Sequence, residues 1–592
     1  MRVFKKIVTG ILIAFGISSL ISTIGLVVLL LVLRDGGESL PDRILLRVNL
    51  TDRVRDARPT KSILESKPKP TLRALVAGIR AAARDDRVDG LVVQLGNAQM
   101  GVAEIQELRD AIGDFREQGK FAHVFSEDLG GLGGGTGRYY LASAFDEIWL
   151  QPSGGVGLIG MAIQIPFARG VLDKLEVEPR FGNRHEYKSG AESFTRSALS
   201  DPARENLQAL LNSLFDQIVT GVAERRGLEP SKVRTLVDNG PYLAAEAVQV
   251  GLVDKLGYFD EFIDGALELA EDDAEEVSIR RYLAGMEEPD DGAPKVALIY
   301  GTGTISSQDG AFGRSGFHAR RIANRFASAV EDEDIEAILF RVNSPGGSYI
   351  ASDIVWREVS RAREAGKPVI VSMGRTAASG GYFVAMPATS IVAQPGTITG
   401  SIGVYGGKFV SRKLWERLGV TWDEVHVGER ATMWSFIDDF PPGAEDRFAA
   451  MLDFIYEDFT SKAMADRDLT AEQIDKVARG RVWSGREALE VGLVDRLGGY
   501  PAALDEVRKA LELEAEDEIN LVLWPKPLGF FERFMRTLKS GNIRTEIALL
   551  FGTQEVGGMD RLARELEPLI GDISAFTRPR GVLQMPPLSL RY

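Results

Sequence analysis

KPVIVSMGRTAASGGYFVAM, Lys367 to Met386, reads as a strand, a tight turn and a helix, and that reading sets the fold class. Lys367 to Gly374 is a short apolar run bounded by turn-forming residues, the pattern of a buried strand. Ala377-Ala378-Ser379-Gly380-Gly381-Tyr382 is a small-residue turn, and Tyr382 to Met386 opens a helix. A serine on such a turn exposes its hydroxyl, and a helix N-terminus beside it favours negative charge. The two glycines that follow let a substrate backbone approach closely. Taken alone, the hexapeptide could equally be a plain connection between strand and helix.

Moving outward, strands and helices alternate, which means α/β. Arg43 to Leu50, Gly90 to Leu95 and Ala122 to Phe125 read as strands; Thr71 to Arg84, Ala103 to Gln118 and Arg138 to Phe145 read as helices. The same order recurs about 240 residues later. LVVQLGNAQMG (Leu91 to Gly101) matches ILFRVNSPGGS (Ile338 to Ser348), and RYYLASAFDEIWLQPSGGVGLIG (Arg138 to Gly160) matches GYFVAMPATSIVAQPGTITGSIG (Gly381 to Gly403). GLVDKLG (Gly251 to Gly257) matches GLVDRLG (Gly492 to Gly498). Three blocks in one order at a nearly constant offset make the chain a tandem duplication, joined through the acidic, Pro- and Gly-containing stretch Met286 to Lys295. The expected division is an anchor at 1–34, a first copy at 35–288, a second at 289–525, and a tail at 526–592 without counterpart or evident role.

Ile7 to Leu33 carries no charge and follows Arg2, Lys5 and Lys6. It is longer than a secretory h-region and long enough to span a bilayer, so it reads as a single transmembrane anchor with its basic end in the cytoplasm. The body is then expected on the periplasmic or outer side of the cytoplasmic membrane; a cleaved signal peptide is the other reading. A formal charge of −15 argues against a nucleic-acid partner. Cysteine is absent, which excludes disulfides, Cys-ligated zinc and thiol catalysis. His123, His185, His318 and His426 are the only histidines, and no HExxH pattern occurs.

The two copies can be read against each other. Where the second has Ser379, Gly346-Gly347 and Ser401, the first has Thr136, Gln99-Met100 and Leu158. The second copy thus keeps a hydroxyl on the turn and a glycine pair whose N–H groups can face an oxyanion, with the Gly380 N–H as a second donor. A serine nucleophile needs a base, and no histidine lies in the blocks flanking Ser379. A lysine made neutral by burial is the alternative. His185-Glu186-Tyr187-Lys188-Ser189-Gly190 of the first copy is one candidate stretch, although Lys188 is one lysine among many.

YKSG, RVNSPGGS, TAASGGY and TGSIGVYG, in that order, closely resemble signal peptide peptidases of the SppA type, also called protease IV, in their long, membrane-anchored, duplicated form. The resemblance covers nearly the whole chain. It implies two tandem ClpP/crotonase-like α/β superhelical domains after the N-terminal helix, assembled as a homotetramer. It implies Ser379 as nucleophile, Lys188 as general base, Ser401 as the hydroxyl positioning the lysine, and an oxyanion hole from Gly380 with Gly346 or Gly347. It further implies signal peptides and other apolar peptides as substrates, and no metal or other cofactor. A crotonase-like acyl-CoA enzyme would share the fold and the glycine pair but has no use for an anchor or a serine–lysine pair. A catalytically silent membrane scaffold would not need the residues that only the second copy retains.

Overall fold

A six-stranded parallel sheet and an eight-stranded sheet that contains the same six-strand parallel path form the frame of the computed structural model, which describes residues 39–57, 69–131, 133–271, 273–286, 290, 292–307, 316–525, 582–585 and 589–591. In the first sheet the order is Glu275–Ser278, Ile44–Leu50, Val88–Leu95, Phe121–Ser126, Glu147–Leu150, Lys255–Leu256, all parallel. In the second the order is Asn520–Leu523, Lys295–Thr302, Ile335–Ser344, Val369–Ala378, Ser390–Ala393, Arg496–Leu497, again all parallel. Position for position, these six strands correspond to those of the first sheet, and the second sheet continues beyond Val369–Ala378 with Ile398–Gly400, parallel, and Val482–Ser484, antiparallel. Parallel strands need long crossovers, and helices supply them.

Leu72–Arg84 shows why these segments are helical. Thr71 Oγ1 accepts from the N–H of Ala74 at 3.3 Å, and Leu72, Leu75, Val76, Ile79, Ala82 and Ala83 turn one apolar stripe inward. Its counterpart Ala319–Glu331 buries Ile322, Phe326 and Ala329 in the second core.

Two sequence readings near the turn need correction. The strand expected to stop at Gly374 continues to Ala378, because Thr376, Ala377 and Ala378 pair in parallel with Ile398, Thr399 and Gly400. The helix expected at Tyr382 to Met386 is instead a single turn, Gly380–Phe383, whose first residue directly follows Ser379. Among the described residues no helix is long and apolar enough to cross a membrane. The anchor expected at residues 7–33 lies outside the described residues, as does the tail except for Val582–Gln584, Met585 and Ser589–Arg591.

Candidate active site

Ser379 sits at the abrupt end of a buried central strand, with φ 55° and ψ −116°. A non-glycine residue in such a conformation costs on the order of 1–3 kcal/mol, so the surroundings must hold it there. They do: the Ser379 N–H donates to Gly400 O at 2.7 Å, and the ladder locks Ala378 beside Gly400. The next residue on each side is a serine, so Ser379 and Ser401 emerge together. Both are fully buried.

Lys188 reaches this point through pairing between the two copies. Glu178–Arg184 of the first runs antiparallel to Val404–Val410 of the second, with Arg184 opposite Val404. Lys188 follows the end of one strand and Ser401 precedes the start of the other, so antiparallel pairing carries both to the same place. Lys188 Nζ lies 2.7 Å from Ser379 Oγ, 2.7 Å from Ser401 O and 3.0 Å from Ser401 Oγ. All three groups belong to one chain.

Burial favours the neutral form of that amine. Lys188 is 1% exposed, and burial alone pushes its pKa well below the ordinary lysine range. A neutral amine has two N–H donors and one lone pair. Ser401 O can only accept, Ser401 Oγ takes the second N–H, and the lone pair is left for the Ser379 O–H. A buried neutral amine on a serine hydroxyl is equipped to remove its proton.

The glycines lie around this pair. Gly380 is the first residue of its helical turn, a position whose N–H has no acceptor within the helix. Gly346 and Gly347 open the short strand Gly346–Ser348; the Gly346 N–H donates to Ser344 Oγ at 3.1 Å. Gly347 has φ 157°, and a Cβ there would fall 2.1 Å from Ile305 O, so no other residue fits. In the first copy the equivalent hydroxyl is spent otherwise. Thr136 Oγ1 donates to Gly160 O at 2.9 Å and accepts from the N–H groups of Ile159 and Gly160 at 3.2 and 3.0 Å. No base reaches it.

Sequence reasoning missed the residues that hold Lys188 in place. Arg479 O accepts from the Tyr187 N–H at 3.2 Å, Arg481 O accepts from the Ser401 N–H at 2.7 Å, and the Arg479 guanidinium pairs with Glu186 at 2.8 Å. Gly480 between them has φ 89°, and a Cβ there would lie 2.4 Å from the Lys188 backbone N. Gly480→Ala therefore displaces the lysine, and misplacement on the order of 1 Å costs about 10²-fold in rate. The check is kcat of this variant beside its far-UV circular dichroism; wild-type activity with a native spectrum would refute the role.

A parallel α/β frame with a strained serine against a buried base defines a hydrolytic enzyme that acts through a serine. The profile described as "Peptidase family S49" matches residues 131–272 and 361–514. The chain is 33% identical over 451 residues to Protease 4 of Salmonella typhi, spanning 74% of this chain and 71% of that one. To Protease 4 of Haemophilus influenzae it is 32% identical over 468 residues, 75% of this chain and 74% of that one. To the chloroplastic serine protease SPPA of Arabidopsis thaliana it is 30% identical over 459 residues, 75% of this chain and 66% of the plant protein. A solved structure of a ClpP1 mutant from Listeria monocytogenes is similar at 15% identity and a TM-score of 0.24, over 35% of this chain and 94% of that one. The chain belongs to peptidase family S49, and it is a serine protease.

Proposed function

We propose that the chain is a membrane-anchored endopeptidase with a Ser379–Lys188 dyad that degrades cleaved signal peptides and other apolar peptides. One observation carries the reading: Lys188 Nζ approaches Ser379 Oγ to 2.7 Å in a site whose burial lowers the pKa of the amine. Lys188 takes the Ser379 proton, and Oγ attacks the scissile carbonyl carbon. The C–N bond breaks as the leaving amine takes that proton back, which forms an acyl-enzyme. Water then attacks the ester carbonyl as Lys188 takes its proton; the bond from the acyl carbon to Ser379 Oγ breaks, Oγ takes that proton back from Lys188, and the acid product leaves. Gly380 with Gly346 or Gly347 donates N–H groups to the tetrahedral oxyanion, at about 3–4 kcal/mol for one donor.

The uncharged stretch at residues 7–33 supports a cytoplasmic-membrane location with the catalytic body outside the cytoplasm, where an anchored site meets apolar peptides left in the bilayer. The repeated parallel sheet order supports ClpP/crotonase-type repeats. The proposed assembly is a homotetramer; Trp422, Val425 and Val427, exposed in one segment with the two valines at 100% and 97%, support an apolar contact surface between copies.

The test is irreversible acylation or phosphonylation of detergent-solubilised protein by a serine-directed reagent, read by intact mass, with light scattering on the same sample. One adduct per chain, absent in Ser379→Ala, is expected, on tetrameric particles. Labelling that survives in Ser379→Ala places the nucleophile elsewhere. Specific thioester binding without labelling would favour an acyl-CoA enzyme.

A further inference from the structure

Arginine collects in one place where the two copies meet. A cavity of about 610 Å³ opens there, lined by Arg53, Arg55, Arg321, Arg325 and Arg375 with His318 beside them. Arg53 and Arg55 follow the first-copy strand Ile44–Leu50. Arg321 and Arg325 belong to the second-copy helix Ala319–Glu331, and Arg375 to the strand that leads to Ser379. The whole chain carries a formal charge of −15, so this concentration of cations runs against its composition.

The carboxylates on the cavity wall are already committed. Asp56 accepts from Arg341 at 3.0 Å and from Asn343 at 2.8 Å; Glu104 accepts from Arg375 at 2.7 Å and from the Gly101 N–H at 2.5 Å. Among the described residues no carboxylate pairs with Arg53, Arg55 or the half-buried Arg325. Arg321 and Arg325 stand four residues apart on one helix, a spacing at which like charges destabilise it. Burial, and then the Arg321 charge, push the Arg325 guanidinium below the ordinary arginine range. The same helix begins unfavourably. His318 at its N-cap makes no side-chain capping bond, and its first turn holds Arg320 and Arg321 but no acidic residue. Cations at the positive end of a helix dipole carry a cost that a bound anion cancels.

We propose that this cavity binds a multiply charged phosphate anion between the two copies. Guanidinium groups grip phosphate oxygens in bidentate pairs, and a single carboxylate would leave most of this charge uncompensated. A cleft lined by one sign of charge also concentrates its counter-ion. A free diphosphate and the terminal phosphate of a lipid headgroup offer the same chemistry. The cavity wall continues into the elements around Ser379. His318 pairs with Phe317 beside it against Ile305 and Ser306, and Ile305 pairs with Gly347 of the glycine strand. Asn343 Oδ1 accepts from the Thr376 N–H at 3.3 Å, next to Arg375. A bound anion therefore ties the copy that carries Lys188 to the copy that carries Ser379.

Inorganic pyrophosphate is titrated by calorimetry into the detergent-solubilised full chain at fixed ionic strength, and the unfolding temperature is followed in parallel. The wild type should bind one anion per chain and unfold at a higher temperature in its presence. Arg55→Gln and Arg325→Gln, one from each copy, should each bind at least about tenfold more weakly. Without pyrophosphate, Arg325→Gln should be at least as stable as the wild type, because it removes a like-charge repulsion. A water-soluble, short-chain phosphatidic acid is the second ligand. Tighter binding of it than of pyrophosphate, through the same arginines, makes the lipid headgroup the source; weaker binding makes it a free anion. Absence of saturable binding by both ligands overturns the proposal. So does binding that both variants leave unchanged, or that chloride at the same ionic strength reproduces. An Arg325→Gln chain less stable than the wild type without anion would overturn it too, since that arginine would then be satisfied within the protein.

Discussion

Replacing Lys188 by alanine or methionine lowers kcat against an apolar peptide by about 10²–10⁴-fold, the range a positioned general base supplies. The argument rests on position and on proton state together. Nζ is 2.7 Å from Ser379 Oγ, and burial lowers its pKa well below that of an exposed lysine, which favours the neutral form. Only the neutral form accepts a proton, so in the wild type kcat/KM rises with pH through the lowered Lys188 pKa and falls below it. Lys188→Arg is inactive across the whole range, since a guanidinium does not deprotonate in proteins. Adding Ser379→Ala to Lys188→Ala costs little more than either change alone, because the two groups act as one unit. Stability carries the same signature. Between the lowered folded pKa and the ordinary lysine value, the unfolded chain binds more protons than the folded one, so stability rises with pH there. Lys188→Met loses that slope. A pH–rate profile that keeps its acidic limb in an active Lys188→Met variant would assign the base to another residue.

Much of this fold is legible in the residues, for a definite reason. Apolar runs such as Leu91 to Leu95 and Ile338 to Val342 can be little other than buried parallel strands, and their recurrence in order exposes the duplication before any contact is known. The site is legible only where chemistry is local. Ser379 with Gly380-Gly381 announces itself as a tight turn. The strand leading into it does not, because Arg-Thr-Ala-Ala from Arg375 to Ala378 lacks the bulky apolar residues of a buried strand, and its pairing is decided by Ile398–Gly400 across the sheet. Lys188 is harder still. Its burial depends on Glu178–Arg184, a strand containing proline and glycine that shows no alternation and is held by a partner strand in the other copy. Gly480 carries no local signal at all; only the approach of the Lys188 backbone reveals why it is glycine.

Arg341→Met destabilises the chain by about 3–5 kcal/mol, the cost of leaving buried charge without its partner. Arg341 is fully buried on the strand leading to the Gly346-Gly347 pair. Its Nη2 meets Asp56 Oδ1 at 3.0 Å and Glu107 Oε1 at 2.5 Å, and both carboxylates come from the first copy. Nη1 donates to Ser372 Oγ at 2.8 Å, and the guanidinium lies 4.4 Å from the centre of the Tyr500 ring. Asn343 Nδ2 donates to the other Asp56 oxygen at 2.8 Å. One cation therefore ties the first copy to the strand that positions the glycines, and its loss reaches both stability and activity. Glu107 also sets a pH dependence. Burial pushes Glu107 up to about 7, with Arg341 pulling it down and Asp56 pushing it up. Its folded pKa lies above the unfolded one, so Glu107 favours folding below about pH 4.5, and that contribution is lost as pH rises to about 7. Removing Arg341 takes away the pull and raises the folded Glu107 pKa further, so the variant's deficit is larger at pH 8 than at pH 5. Glu107→Gln in the Arg341→Met background recovers part of the loss at pH 8, because one buried charge is gone. Urea unfolding at the two pH values measures all of this. A deficit under about 1 kcal/mol, or one independent of pH, would mean that the ion cluster is not what joins the copies.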